Sequence, residues 1–177
     1  MALRPALFLD RDGVINVDTG YTHRPEDLTF TPTAVAGVRL ANEAGRPVIV
    51  ATNQSGVARG MFGLDDVHRF HDAMQRQLSA AGARVDAFYL CPFHPDATVP
   101  AFRGEHEDRK PAPGMLRRAI REWPINPRRS LMVGDRPRDI AAAQAAGVPA
   151  VLVPSDTCDL AAVVTDWLRR TPDEVAA

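Results

Sequence analysis

The 177-residue chain has only two cysteines, Cys91 and Cys158, and they lie far apart. A disulfide framework is therefore excluded as an organising principle. No charged-then-apolar leader pattern opens the sequence, so a reducing, cytoplasmic setting is expected. Long hydrophobic runs are also missing. The apolar stretches at residues 6–9 and 48–51 fall far short of the roughly 20 residues that cross a bilayer. No membrane partner is expected. Charge of one sign is not in excess either: the formal net charge is -1 and the isoelectric point is near 6.5. That balance argues against nucleic acid and anionic lipid as partners, both of which favour concentrated positive charge. The arginine pairs at 117–118, 128–129 and 169–170 are isolated and read as solvated surface. There are no internal repeats and no low-complexity tracts.

What remains is a chain long enough to bury a core without staples, expected to form one domain over residues 1–177 and to act as a monomer. Short apolar runs alternate with longer amphipathic segments, which is the pattern of strands joined by crossover helices. The fold class expected is α/β: a Rossmann-like, mostly parallel sheet flanked by helices, with a small flap after Asp12 and no large cap domain. Strands are expected at residues 6–10, 47–52, 87–90, 131–134 and 150–153, where brevity decides between strand and buried helix. Helices are expected at residues 34–44, 64–81 and 137–146, each followed by a glycine stop at Gly45, Gly82 or Gly147. Within the second helix, Val67, Phe70, His71, Met74 and Leu78 form one apolar stripe. The polar, proline-containing stretch at 94–113 should be an ordered loop if it carries chemistry.

Asp10 ends the first expected strand, and Asp12 follows in a turn that Gly13 can sharpen. Ligands of open parallel sheets bind at that edge. Two such carboxylates can divide labour between an ionised nucleophile and an acid, although Asp-x-Asp alone is more often a turn or surface pair. The later strands strengthen the functional reading. The second delivers Thr52, Asn53, Gln54, Ser55 and Gly56, where a hydroxyl and backbone N–H groups can face phosphate oxygens. The fourth delivers Asp135, followed by Asp139, which could contribute to a hard-cation site, cap its helix or pair with Lys110. Lys110 precedes Pro111 and Pro113 in a restricted turn, and Arg109 beside it offers a planar fork to an oxyanion.

This ordered set, an Asp-x-Asp after the first strand, a Thr after the second, a Lys ahead of a helix and a Gly-Asp with a later Asp, resembles the haloacid dehalogenase superfamily over residues 6–153. Within it, LFLDRDGVIN, residues 18–21, TNQSGVARG, DRKPAPGML and MVGD are similar to the D-glycero-D-manno-heptose 1,7-bisphosphate phosphatase group. The histidinol-phosphate phosphatases come next; they often carry Thr where Val14 stands and Asp where Ser55 stands. The resemblance implies a phosphatase acting on a small phosphorylated sugar. Asp10 would be the nucleophile, Asp12 the acid–base, and Thr52 and Lys110 would hold phosphoryl oxygens. Magnesium would be held by Asp10, the Asp12 carbonyl and Asp135. Asp18, Thr19, Gly20, Tyr21, Asn53, Gln54, Ser55, Arg109 and Arg136 are the implied substrate contacts, Arg136 standing where the family often has Lys.

The family's structural zinc loop is not matched. Cys91 is followed by Phe93 and His94, and later by His106 and Asp108, a set poorly suited to zinc. A zinc-free loop is expected. His68 and His71 read as ordinary helix residues and Cys158 as an unreactive thiol. Two other functions compete, a phosphoacceptor switch and a binding module without turnover. The switch is disfavoured because the first strand supplies nucleophile and acid together, and the binding module because every chemical position is kept.

Overall fold

A computed structural model describes residues 3–172. Five parallel strands, β1 (Leu7–Leu9), β2 (Val48–Asn53), β3 (Ala87–Cys91), β4 (Leu131–Gly134) and β5 (Ala150–Leu152), form one sheet in the order β3-β2-β1-β4-β5. Strand side chains alternate between the two faces, and here that alternation builds two separate cores. Leu7, Leu9, Val48, Val50 and Val133 face one side; Phe8, Ile49, Ala51 and Met132 face the other. All nine are buried, as expected of a parallel sheet covered by helices on both faces.

The first face is covered by α1 (Ala34–Glu43), α3 (Leu64–Ala80) and α6 (Leu160–Arg170), through Val38, Phe70, Met74, Leu78, Leu160, Val164 and Trp167. The second is covered by α4 (Gly114–Glu122) and α5 (Pro137–Ala145), through Met115, Leu116, Ala119 and Ala143. A short α2 (Ser55–Ala58) follows β2 directly. The expected strands and helices are all present, with ends displaced by a residue or so. Beyond the three expected helices stand α2, α4 and α6, and α6 has a legible basis: Leu160, Val164 and Trp167 share one helix face, and the Asp159 side chain accepts from the Ala162 N–H at 3.1 Å, capping the first turn. Among the described residues no helix is long and apolar enough to cross a membrane.

Strand order decides where a site can form. The chain leaves β1 for β2 on one side and returns to β4 on the other, so the crossovers diverge around β1 and open a crevice beyond the strand ends. The register aligns Leu9 with Val50 and with Val133, and the Asp10 N–H donates to the Val133 carbonyl at 3.0 Å. Asp10 and the residues just after β2 and β4 therefore emerge side by side. The loop at 94–113 is ordered by backbone hydrogen bonds from His94 to the Phe102 carbonyl and from Gly104 to the His94 carbonyl.

Candidate active site

At the crevice lies a cavity of about 270 Å³, bounded by Asp10, Asp12 and Asp135 at its floor and by the flap residues Asp18, Gly20 and Tyr21. Asn53, Gln54, Ser55, Gly56, Arg136 and Arg138 complete the wall. Close packing at the floor requires two glycines. Gly13 has φ +84, and a Cβ there would lie 2.4 Å from Asp135 Oδ2; a Cβ on Gly134 would lie 2.2 Å from the Asp139 Cβ. Only glycine lets these carboxylates come so near the backbone.

Asp10 accepts from its neighbour's amide, Arg11 N–H, at 2.8 Å and from Lys110 Nζ at 2.9 Å, and both bonds fall on Oδ1. Lys110 is the only lysine in the chain and is 1% exposed. Its ammonium also donates to the Ala51 carbonyl at 2.7 Å and lies 2.7 Å from Asp139 Oδ1. Three acceptors thus surround a group with three N–H donors. Burial opposes the charge, yet Asp10 and Asp139 more than offset it and hold the lysine above its ordinary range. The lysine backbone is fixed by Asn53, whose amide donates to the Lys110 carbonyl and whose carbonyl accepts from the Lys110 N–H, each at 3.0 Å.

Asp139 does two things at once: besides pairing with Lys110, its Oδ2 accepts from the Arg136 N–H at 3.0 Å at the start of α5. Asp10, Asp135 and Asp139 each bring an oxygen to within 4.8 Å of the others, and among the described residues no other group of acidic, His or Cys side chains converges in this way. Asp135 Oδ1 is buried without a hydrogen-bond partner. Burial, reinforced by Asp10, pushes the Asp135 carboxyl up to about 6. Crowded, under-neutralised oxygens of this kind suit a hard divalent cation. The Asp12 carboxylate is not part of this group. It accepts from Arg11, Asn16 and Gln54 at 2.9–3.1 Å.

The other expected site residues divide. Thr52 is buried behind the wall, its Oγ1 accepting from Gln54 Nε2 at 2.8 Å. Thr19 lies in the flap but does not line the cavity; its N–H donates to Thr22 Oγ1 at 3.0 Å. Asp18 is held by Asp156, which accepts from its N–H at 2.8 Å, and Tyr21 takes an unusual positive φ of 55 at the exposed rim. Arg109 does not line the cavity, since its guanidinium donates to the Phe93 carbonyl at 3.1 Å. Arg138, not singled out from the sequence, stands in the wall instead; a cation in the first turn of a helix carries no pattern that would mark it. Burial lowers Arg109, with Arg138 and Arg59 acting in the same direction and Cys91 and Glu105 against them.

In the loop that resembles a zinc site, Phe93 stacks on His106 with centroids 4.2 Å apart, and Arg118 donates to Asp108 at 2.8 Å. His94 and His106 each turn Nδ1 toward a nearby backbone N–H at 3.0 Å. Cys91, His94, His106 and Asp108 do not converge as a ligand set. His71 is buried in α3 against Phe88, with ring centroids 4.3 Å apart.

A family model described as HAD-hydrolase-like matches residues 108–177. The chain is 47% identical over 146 residues to a D-glycero-beta-D-manno-heptose-1,7-bisphosphate 7-phosphatase of Rhodopseudomonas palustris, covering 82% of this chain and 81% of the relative. It is 39% identical over 171 residues to a D-glycero-alpha-D-manno-heptose-1,7-bisphosphate 7-phosphatase of Burkholderia mallei, covering 96% and 90%. Among solved structures, the D,D-heptose 1,7-bisphosphate phosphatase from B. bronchiseptica, complexed with magnesium and phosphate, superposes with a TM-score of 0.83 at 34% identity, covering 94% of this chain and 99% of that one.

Proposed function

Because the chain belongs to the haloacid dehalogenase-like hydrolases and is a phosphoric monoester hydrolase, we propose that it removes the C7 phosphate of D-glycero-D-manno-heptose 1,7-bisphosphate through a phosphorylated Asp10. The observation that carries this reading is Asp10 at the end of β1, paired with the buried Lys110 and facing a cavity walled by Arg136 and Arg138. Relatives active on both anomers support the heptose and leave the anomer open.

In this reading Asp10 Oδ2 attacks phosphorus while Oδ1 stays held by the Arg11 N–H and Lys110. Asp12 protonates the departing sugar oxygen as its bond to phosphorus breaks, and later takes a proton from the water whose oxygen attacks phosphorus, releasing phosphate and restoring the Asp10 carboxylate. Lys110 neutralises charge next to the nucleophile, and the backbone after β2 receives phosphoryl oxygens. Thr52 keeps a supporting place through Gln54. Arg136 and Arg138 hold the retained phosphate, with Arg109 in reserve at the rim. Asp10, the Asp12 carbonyl and Asp135 would hold magnesium, which when bound supplies charge neutralisation and orientation of the phosphoryl group. Cytoplasmic residence suits two free, buried thiols. A one-domain monomer without structural zinc belongs to this reading.

The substrate test compares heptose 1,7-bisphosphate, heptose 7-phosphate and histidinol phosphate under identical magnesium conditions. A charge-assisted hydrogen bond is worth roughly 1.5–3 kcal/mol, so kcat/KM should be about 10–100-fold higher for the bisphosphate than for the 7-phosphate. A higher kcat/KM for histidinol phosphate would overturn the heptose assignment and leave the phosphatase intact.

Metal binding should depend on pH in a direction set by Asp135. Its raised folded-state pKa means that its contribution to stability is present below the ordinary carboxylate range and is lost as pH rises through about 6. A cation binds the ionised form, so its affinity should climb over the same interval. The rise in Tm on adding magnesium should accordingly be larger near about pH 7.5 than near about pH 5. An equal rise at both would contradict the assignment of Asp135.

A further inference from the structure

Among the described residues, Arg11 heads the fully buried side chains by volume, and the mechanism above gives it no task. Its guanidinium is fully shielded from solvent yet lies beside the catalytic cavity. Nε donates to Asp12 Oδ1 at 3.1 Å, and Nη2 donates to Asp12 Oδ1 and Oδ2 at 2.9 and 3.1 Å. The same Nη2 donates to the Thr22 carbonyl at 2.6 Å and lies 3.3 Å from Gln54 Oε1. Nη1 lies 3.3 Å from His71 Nε2, and the plane sits over the Phe70 ring at 4.4 Å.

The chemistry of the donors makes this arrangement directional. Arginine can only donate, so the Gln54 oxygen must face it and the Gln54 amide must face Asp12, to which Nε2 donates at 3.0 Å. For the same reason His71 Nε2 must be an unprotonated acceptor. Burial, with Arg11 adding to it, pushes His71 down to about 3, consistent with a neutral ring. Two residues of α3 thus seat the guanidinium, His71 against Nη1 and Phe70 against its plane, while Nε and Nη2 grip the carboxylate and the same Nη2 holds the Thr22 carbonyl of the flap. Thr22 ties that grip to the cavity rim, because its hydroxyl accepts from the Thr19 N–H next to Asp18 and Gly20.

We propose that Arg11 is the positioning residue of the acid–base Asp12, holding its carboxylate in one orientation and locking that orientation to the substrate-binding flap through the Thr22 carbonyl. This rests on the reading of Asp12 as acid–base. Arg11 acts through Asp12: its guanidinium bonds the Asp12 carboxylate and does not line the cavity. A fork with several fixed donors can hold a carboxylate and a carbonyl together, whereas a lysine ammonium, a point donor on a flexible stem, cannot reproduce both contacts.

A positioning role separates from a merely structural one through the leaving group. An alkyl sugar phosphate needs its departing oxygen protonated, while p-nitrophenolate leaves without a proton. Phosphoenzyme formation should be followed in single turnovers with heptose 7-phosphate and with p-nitrophenyl phosphate, for wild type, Arg11→Met, Arg11→Lys and Asp12→Asn. For Arg11→Met the rate loss on the sugar phosphate should exceed the loss on the aryl phosphate by at least tenfold. Arg11→Lys, which retains the buried charge, should show the same asymmetry at smaller size and carries the test if Arg11→Met does not fold. Asp12→Asn should show the largest asymmetry, and adding Arg11→Lys to it should cost little more, since the two act as one unit. Equal losses on both substrates in the Arg11 variants, with the asymmetry retained in Asp12→Asn, would overturn the positioning role alone. Absence of asymmetry in Asp12→Asn would overturn the acid–base reading and the inference with it.

Discussion

Asp10→Asn should lower turnover by at least about 10³-fold, the order of loss seen when a covalent nucleophile is removed, while the protein remains folded. An amide has the shape of the carboxylate and can still accept from the Arg11 N–H and from Lys110, so the contacts at Oδ1 survive in kind. What disappears is the anionic oxygen that would attack phosphorus. Lys110 keeps Asp139 as a counter-charge at 2.7 Å, which limits the damage to stability. Phosphate release and trapped phosphoenzyme should fall together, the latter read as loss of the phosphate mass increment on the intact chain. Near-normal steady-state activity in purified Asp10→Asn would reject Asp10 as nucleophile, whatever the substrate.

Lys110→Met should be the most destabilising of the substitutions considered. Methionine fills similar volume, but it leaves Asp10 and Asp139 buried side by side without the cation that lies 2.9 and 2.7 Å from them. Breaking a buried pair by removing one partner costs about 3–5 kcal/mol, which in a chain of this size is a fall in Tm of about 6–20 °C. Activity should fall as well, because the charge next to the nucleophile is gone. The pH dependence has a definite sign. Lys110 is held above its ordinary value of 10.5, so the stability it contributes is fully present below that value and is lost only as pH rises beyond the folded-state pKa. The difference in Tm between wild type and variant should therefore be flat on the alkaline side of neutrality and narrow only in strong alkali. An unchanged Tm in Lys110→Met would show that the three acceptors around the ammonium do not depend on it.

Much of the site was legible because its residues follow the strand ends in chain order. Asp10, Thr52 and Asp135 each follow a short apolar run, and a parallel sheet must bring such positions to one edge. Lys110 could be placed by its motif, though not its three partners. Asp139 was readable as part of a cation site, as a helix cap or as an ion-pair partner; the fold makes it both cap and partner and also sets it in the acidic cluster. Arg109 and Arg138 were the least legible. Both are arginines in polar surroundings, and which of them reaches the cavity depends on the Phe93 carbonyl, which engages Arg109 from another part of the loop. Arg11 was hidden in plain view between two aspartates, since nothing local says whether a charged residue in a turn points to solvent or inward.

The sequence by itself determined the layers, the strand-end positions of Asp10, Thr52 and Asp135 and the phosphatase class of the chain. Those follow from period-two burial and from motifs whose spacing is set by the backbone. Only the tertiary structure decided the pairing of charges: that Lys110 bridges Asp10 and Asp139, that Arg11 grips Asp12 and the flap, and that Asp12 keeps its carboxylate away from the Asp10, Asp135 and Asp139 cluster. Local sequence cannot settle such choices, because a buried charge is tolerated only where groups distant in the chain converge to compensate it.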